Sequence, residues 1–194
     1  MTRYRGSMPA EPSHTPALAA LADSGLDYEV TRHGPVSSLT EAAAARGIAP
    51  AQLIKTMVVR RGHGDYLFVL VPGDRVISWP KLRGVLGVNR LSMPDANRAQ
   101  EVTGYARGTI TPLGARQALP VIADEHVRGT ISIGAGGHGL GARLDAAALL
   151  AYLKAGVADV TDPADGQDEG DPAGGDAGDP AGGRGSAVDP ASQR

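Results

Sequence analysis

The chain divides by composition near residue 161, and that break limits what can fold. From Asp162 to Arg194 it has eight acidic residues against two basic ones, eight glycines, four prolines and almost no large apolar side chain. A segment of this kind cannot bury enough apolar surface to offset the entropy of ordering it. Residues 161–194 are therefore expected to form a disordered acidic Gly/Pro/Asp tail. Asp171 and Asp179 each begin an Asp-Pro-Ala-Gly-Gly string, which reads as low complexity rather than a solenoid repeat. Residues 1–14 are polar and contain proline, so a flexible N-terminal arm is expected there. That leaves one domain over 15–160, long enough for a single hydrophobic core.

The overall formal charge of −2 hides an asymmetry. The acidic tail contributes −6, so the preceding residues carry +4. A basic domain suits an anionic partner, and the tail would either aid solubility or compete weakly for the basic face. The chain has no cysteine, which excludes a disulfide framework, a thiolate zinc site and a cysteine nucleophile. No apolar run approaches the roughly 18 to 20 residues of a membrane helix, and residues 1–14 lack the apolar stretch of a secretory signal. A cytoplasmic setting is expected.

Within 15–160 the hydrophobic period changes repeatedly. Leu18 and Leu21 predict a helix over 15–24 stopped by Gly25, and an Ala-rich helix is predicted over 40–46 with Thr40 as N-cap. One turn is read at 50–52. The runs 53–59 and 66–71 predict a hairpin around a turn at 62–65. Helices are predicted over 79–86, over 95–102 with Asp95 as cap, and over 146–154 with Asp145 as cap. Short strands are expected at 28–31, 90–93, 119–123, 129–134 and 157–160. Strands and helices do not alternate strictly, so the fold class is α+β rather than doubly wound.

Three features carry candidate chemistry. Lys55 interrupts an apolar strand and is one of only three lysines in the chain. Such an ammonium either meets an anion or snorkels from a strand edge to water. The string from Thr103 to Gly114 holds three glycines and Pro112 directly after a helix. It is a constrained turn or an anion-holding loop, and it lacks the Gly-Lys-Ser/Thr ending of a P-loop. Gly134 to Gly141 holds five glycines in eight residues, which fits a backbone oxyanion cradle or a mobile loop equally well. The five histidines form no HxH or HExxH pair, so no metal is expected. No GxSxG elbow is present. Arg60 and Arg61 read as a solvated turn or as phosphate contacts.

Gln52-Leu53-Ile54-Lys55-Thr56 comes first. Thr103-Gly104-Tyr105 through Thr111-Pro112-Leu113-Gly114 follows, with Leu119-Pro120 after it, and then the glycine run 134–141 leads into a terminal helix. In this order they resemble the YbaK/ProX family of aminoacyl-tRNA deacylases, relatives of the editing domain inserted in bacterial prolyl-tRNA synthetases. The resemblance implies a mixed, partly barrel-like β-sheet flanked by short helices over 15–160. It also implies hydrolysis of the ester joining a wrong amino acid to tRNA, with the tRNA of proline carrying Ala or Cys as the expected substrate. Lys55 matches the family lysine and is the expected catalytic residue. Thr56, Gly104, Tyr105, Gly108, Thr111, Pro112, Gly114, Gly134, Gly136, Gly137, His138 and Gly139 are the expected substrate-binding residues. The implied partners are the aminoacylated 3′ end of tRNA and a synthetase, with no cofactor and no membrane.

Two departures matter. Deacylases acting on cysteinyl-tRNA tend to show Ser-Gly-Gly and then Gly-Leu-Asp, where this chain reads Gly134-Ala135-Gly136 and Gly139-Leu140-Gly141. Val36 to Ala42 resembles an alanine-editing branch, whereas Lys55-Thr56 resembles the cysteine-editing one. With no cysteine and no triad, the expected mechanism has no covalent intermediate: Lys55 positions the substrate, loop amides hold the oxyanion, and water attacks. The alternatives are a non-catalytic tRNA- or synthetase-binding module on the same scaffold, or an esterase acting on small molecules.

Overall fold

The computed structural model describes residues 14–164. The expected arm, apart from His14, and the expected tail beyond Ala164 lie outside the described residues.

The elements run in this order: α1 (Pro16–Ser24), β1 (Tyr28–Arg32), α2 (Leu39–Ala45), a 3-10 turn (Pro50–Gln52), β2 (Leu53–Gly62), β3 (Asp65–Pro72), β4 (Arg75–Ile77), α3 (Trp79–Leu86), α4 (Ala96–Thr103), β5 (Val121–Asp124), β6 (Thr130–Gly134), β7 (Leu140–Asp145), α5 (Ala146–Tyr152), β8 (Gly156–Ala158) and β9 (Thr161–Pro163). Local chemistry sets the helix ends. The Thr15 hydroxyl accepts from the Leu18 amide at 3.2 Å, with Pro16 in the first turn of α1. Asp95 and Asp145 cap α4 and α5 in the same way, accepting from Arg98 and Ala148 at 2.8 and 2.9 Å.

Some expectations fail locally. Ser38, not Thr40, caps α2, because its hydroxyl accepts from the Glu41 amide at 3.1 Å. Residues 90–93 form no strand, and only an isolated bridge joins Ser92 to Arg60. The glycine run ends in a strand, β7, that its composition conceals. The ordered chain also runs past residue 160: Thr161–Pro163 pair with Arg75–Ile77, so the boundary drawn there cuts through a strand pair.

Seven strands form one mixed sheet in the order β1-β7-β6-β2-β3-β5-β8, and β4 and β9 form a second. β3 is central and buried on both sides. Tyr66, Phe68 and Leu70 enter one core with Ile54, Val58, Ile133 and Leu149. Leu67, Val69 and Val71 enter another with Val59, Leu82 and Val160. Such a strand reads as an unbroken apolar run, because neither face meets water.

The β4/β9 pair closes over the second core around Asp124, which is fully buried. Its carboxylate accepts from the His126 amide (3.0 Å), the Val160 amide (3.1 Å) and the Thr161 hydroxyl (2.8 Å), and His126 Nδ1 lies 2.7 Å away. Burial alone would raise its pKa, but these bonds outweigh it and hold the carboxyl below its ordinary range.

Candidate functional site

β2 runs parallel to β6, with Leu53 opposite Ser132 and Ile54 opposite Ile133. Gly134 pairs with Gly141, and Gly141 with Thr31. Three strands thus carry Gly134, Gly141 and Thr31 in one row, and Lys55, two residues beyond Leu53 on β2, lies on the same face as Ser132. Cross-strand neighbours share a face, and this face is turned away from Ile54, Ile133 and Ala142 of the first core.

Lys55 is half-buried and stands opposite Val71 of the second core. Its Nζ donates to the Arg75 carbonyl at 2.6 Å, which fixes the ammonium near the start of β4. Thr56, the next residue, points to the other face, opposite Leu70. Its Oγ1 is buried with no hydrogen-bond partner among the described residues.

The 104–114 loop leaves α4 at Gly104, which has φ 82° and serves as the helix's C-cap. Tyr105 closes the loop on itself: its buried hydroxyl donates to the Leu113 carbonyl at 2.7 Å. Burial pushes the Tyr105 phenol up to about 12, so it remains a neutral donor. Thr111 is fully buried, and its hydroxyl accepts from Leu113 at 3.5 Å. Pro112 is half-buried beside it. Gly114, at φ 61°, lies against the Pro16 carbonyl with no room for a side chain. These residues shape and anchor the loop.

The two glycine loops do come together. A Cβ on Gly136 would lie 2.7 Å from the Tyr105 ring, and one on Gly108 would lie 3.6 Å from His138 Cε1. One on Gly134 would lie 3.5 Å from the Ile110 carbonyl. The 104–114 loop and the 134–141 run therefore meet around Gly108, Gly134 and Gly136, next to the strand β2 that carries Lys55. Within 134–141 two amides are already engaged: Ala135 donates to Leu140 and Leu140 to Gly137, each at 3.1 Å. Gly137, His138 and Gly139 line a cavity of 290 Å³ together with Arg32, His33 and Leu140. His33 Nε2 is buried there without a hydrogen-bond partner among the described residues. A larger depression of 410 Å³ lies on α4, bordered by Gly104 and Arg116 and outside the row just described.

One residue escaped the sequence reading. Arg46 follows the last turn of α2, and its guanidinium lies over the row. A Cβ on Gly141 would be 2.7 Å from its Nη1 and 2.9 Å from Thr31 Oγ1. Nη1 donates to the buried Ser132 hydroxyl at 3.0 Å. Nε, like Thr31 Oγ1, is buried without a hydrogen-bond partner among the described residues, and burial lowers the Arg46 pKa. The available signal was a single cation ending an alanine-rich helix, which sequence alone reads as an exposed C-terminal base. Among the described residues, no three His, Cys, Asp or Glu gather as metal ligands, and no helix is long and apolar enough to cross a membrane.

Comparison with known proteins adds four findings. A family model for the aminoacyl-tRNA editing domain matches residues 33–151. The chain is 28% identical over 114 residues to a proline–tRNA ligase of Pelobacter propionicus, covering 59% of this chain but only 20% of that ligase. It is 24% identical over 137 residues to the Enterococcus faecalis protein named "Putative Cys-tRNA(Pro)/Cys-tRNA(Cys) deacylase EbsC", covering 70% of this chain and 84% of that one. The crystal structure of "a putative trans-editing enzyme for prolyl tRNA synthetase" superposes with a TM-score of 0.70 at 25% identity, covering 79% of this chain and 99% of the other.

Proposed function

The chain belongs to the aminoacyl-tRNA editing domain family, and on that premise we propose that it is a trans-acting deacylase of mischarged tRNA. The observation that carries this is the meeting of the two glycine loops, Gly136 against the Tyr105 ring and Gly108 against His138, beside the strand β2 that carries Lys55. The proposed substrate is the tRNA of proline carrying Ala or Cys: the names of the relatives above support that tRNA and Cys, and Ala rests on the resemblance of Val36 to Ala42 to an alanine-editing branch.

An aminoacyl ester is intrinsically reactive, so positioning and electrostatics suffice. Lys55, held by the Arg75 carbonyl, presents a point charge to the ester or to the terminal phosphate. Water attacks the ester carbonyl carbon, and the negative oxygen that develops is held by amides of Gly136, Gly137 and His138. One such donor contributes about 3 to 4 kcal/mol. The ester C–O bond then breaks, the ribose oxygen takes a proton, and the free amino acid leaves. The amide of Ala135 has no part in this, because it is bonded to Leu140.

The test is turnover. Purified protein incubated with alanyl- and cysteinyl-tRNA for proline should release the free amino acid, and Lys55→Ala should abolish most of that release while remaining folded. Binding without release would favour a second reading, a non-catalytic tRNA- or synthetase-binding module. One observation favours it: this chain has Gly134 and Gly141 where the cysteinyl-tRNA deacylase pattern has a serine and an aspartate.

A further inference from the structure

We infer that Arg46 is a specificity-determining residue that binds an anionic oxygen of the substrate, a phosphate or a carboxylate, above Gly141. A half-buried guanidinium is costly unless a counter-charge meets it. Arg46 has no ion pair among the described residues, and its one hydrogen-bond partner is the neutral Ser132 hydroxyl. Its Nε is buried and idle, and so is the Thr31 hydroxyl at the same spot. Glycine at 141 leaves the guanidinium room against the sheet, since a Cβ there would come within 2.7 Å of Nη1 and shift it. Lys55 lies on the face of Leu53 and Ser132, and Arg46 donates to Ser132, so two cations share one face of the sheet. A planar fork of donors suits the paired oxygens of phosphate or carboxylate.

What the anion belongs to rests on the deacylase reading. It is either the phosphate of the 3′-terminal nucleotide or an acidic side chain on the esterified amino acid. The first leaves Ala or Cys as the amino acid removed, and the second replaces them with aspartate.

The experiment is titration of the full chain with 5′-AMP, adenosine and aspartate, followed by calorimetry or NMR. The variants are Arg46→Ala, Arg46→Lys and Gly141→Asp. Gly141→Asp keeps the arginine but supplies a carboxylate to it, so it serves if Arg46→Ala folds poorly. At least one anion should bind the wild type better than adenosine does. That anion should lose tenfold or more in Arg46→Ala and in Gly141→Asp, with Arg46→Lys between. AMP alone identifies the phosphate, and aspartate alone identifies the carboxylate. In deacylation, Arg46→Ala should raise KM tenfold or more with kcat within threefold. If the wild type binds neither anion better than adenosine, or if Arg46→Ala binds them equally well, the inference is overturned. Arg46-dependent binding without any deacylation would sink the deacylase reading and leave the anion site standing. Deacylation with a KM indifferent to Arg46 would do the reverse.

Discussion

Arg46 and Gly141 lie 95 positions apart in the chain, yet the arginine's Nη1 sits 2.7 Å from where a Cβ on Gly141 would be. The pairing depends on β1, β7, β6 and β2 lying side by side, with α2 laid across them. It also sets the charge of the site, because glycine at 141 leaves the guanidinium without a local carboxylate.

Lys55→Ala should reduce the deacylation rate by two to three orders of magnitude, the usual scale for removing one positioned electrostatic group. Its melting temperature should stay near that of the wild type, since Lys55 is half-buried and its ammonium donates to a backbone carbonyl, that of Arg75. Lys55→Arg should not rescue the rate, because a planar fork does not replace a compact ammonium. A variant at wild-type rate would remove Lys55 from the mechanism.

Tyr105→Phe should cost about 1 to 3 kcal/mol in urea unfolding, because it leaves the Leu113 carbonyl buried without its donor. The Tyr105 phenol, at about 12, should not ionise when absorbance near 295 nm is followed up to pH 11. Comparing the wild type with Tyr105→Phe should therefore show no difference in the tyrosinate signal below that pH. Ionisation near pH 10 would place the ring in water.

Gly114→Ala should destabilise the protein by about 2 kcal/mol. The position has φ 61°, unfavourable for any residue with a Cβ, and that Cβ would run into the Pro16 carbonyl at the start of α1. Gly64→Ala is the control: it has φ 71° but nothing near its Cβ, so it should cost only the backbone part. Equal losses in the two variants would show that α1 does not pack on the loop.

Asp124→Asn should lower stability by about 3 kcal/mol at neutral pH, the scale of breaking a buried charged network. The sign with pH follows from the depressed pKa of Asp124. The unfolded carboxyl titrates near about 3.9, so the stabilisation is complete well above that value. It is lost as pH falls toward the lower folded pKa. Thermal melts should show the gap between wild type and variant closing below about pH 4. A gap that stays constant into acid would mean the carboxylate is not what the network stabilises.

Much of the fold was legible because its cues are local. Thr15, Asp95 and Asp145 cap helices with their own side chains, Gly25 and Gly104 end helices at positive φ, and residues 53–72 carry the apolar pattern of a hairpin. The strands that were missed have no such cue. β4 and β9 are three residues each and persist because they pair with one another over the buried Asp124. β7 contains Gly141 and follows a glycine run, so its composition argues for a loop, and only its pairing with both β1 and β6 makes it a strand.

The site divides in the same way. The sequence by itself determined which groups were available: one lysine in an apolar strand, two glycine loops, and no cysteine to act as nucleophile. It also determined that residues 53–71 would alternate between two faces. The long-range packing alone brings β2 with Lys55 alongside β6, sets Ile110 against Gly134, and lays Arg46 over Gly141. The physical reason is range. Caps and periods act within a few residues, whereas a parallel pairing such as that of β2 with β6 forms only when distant segments bury their apolar faces in one core.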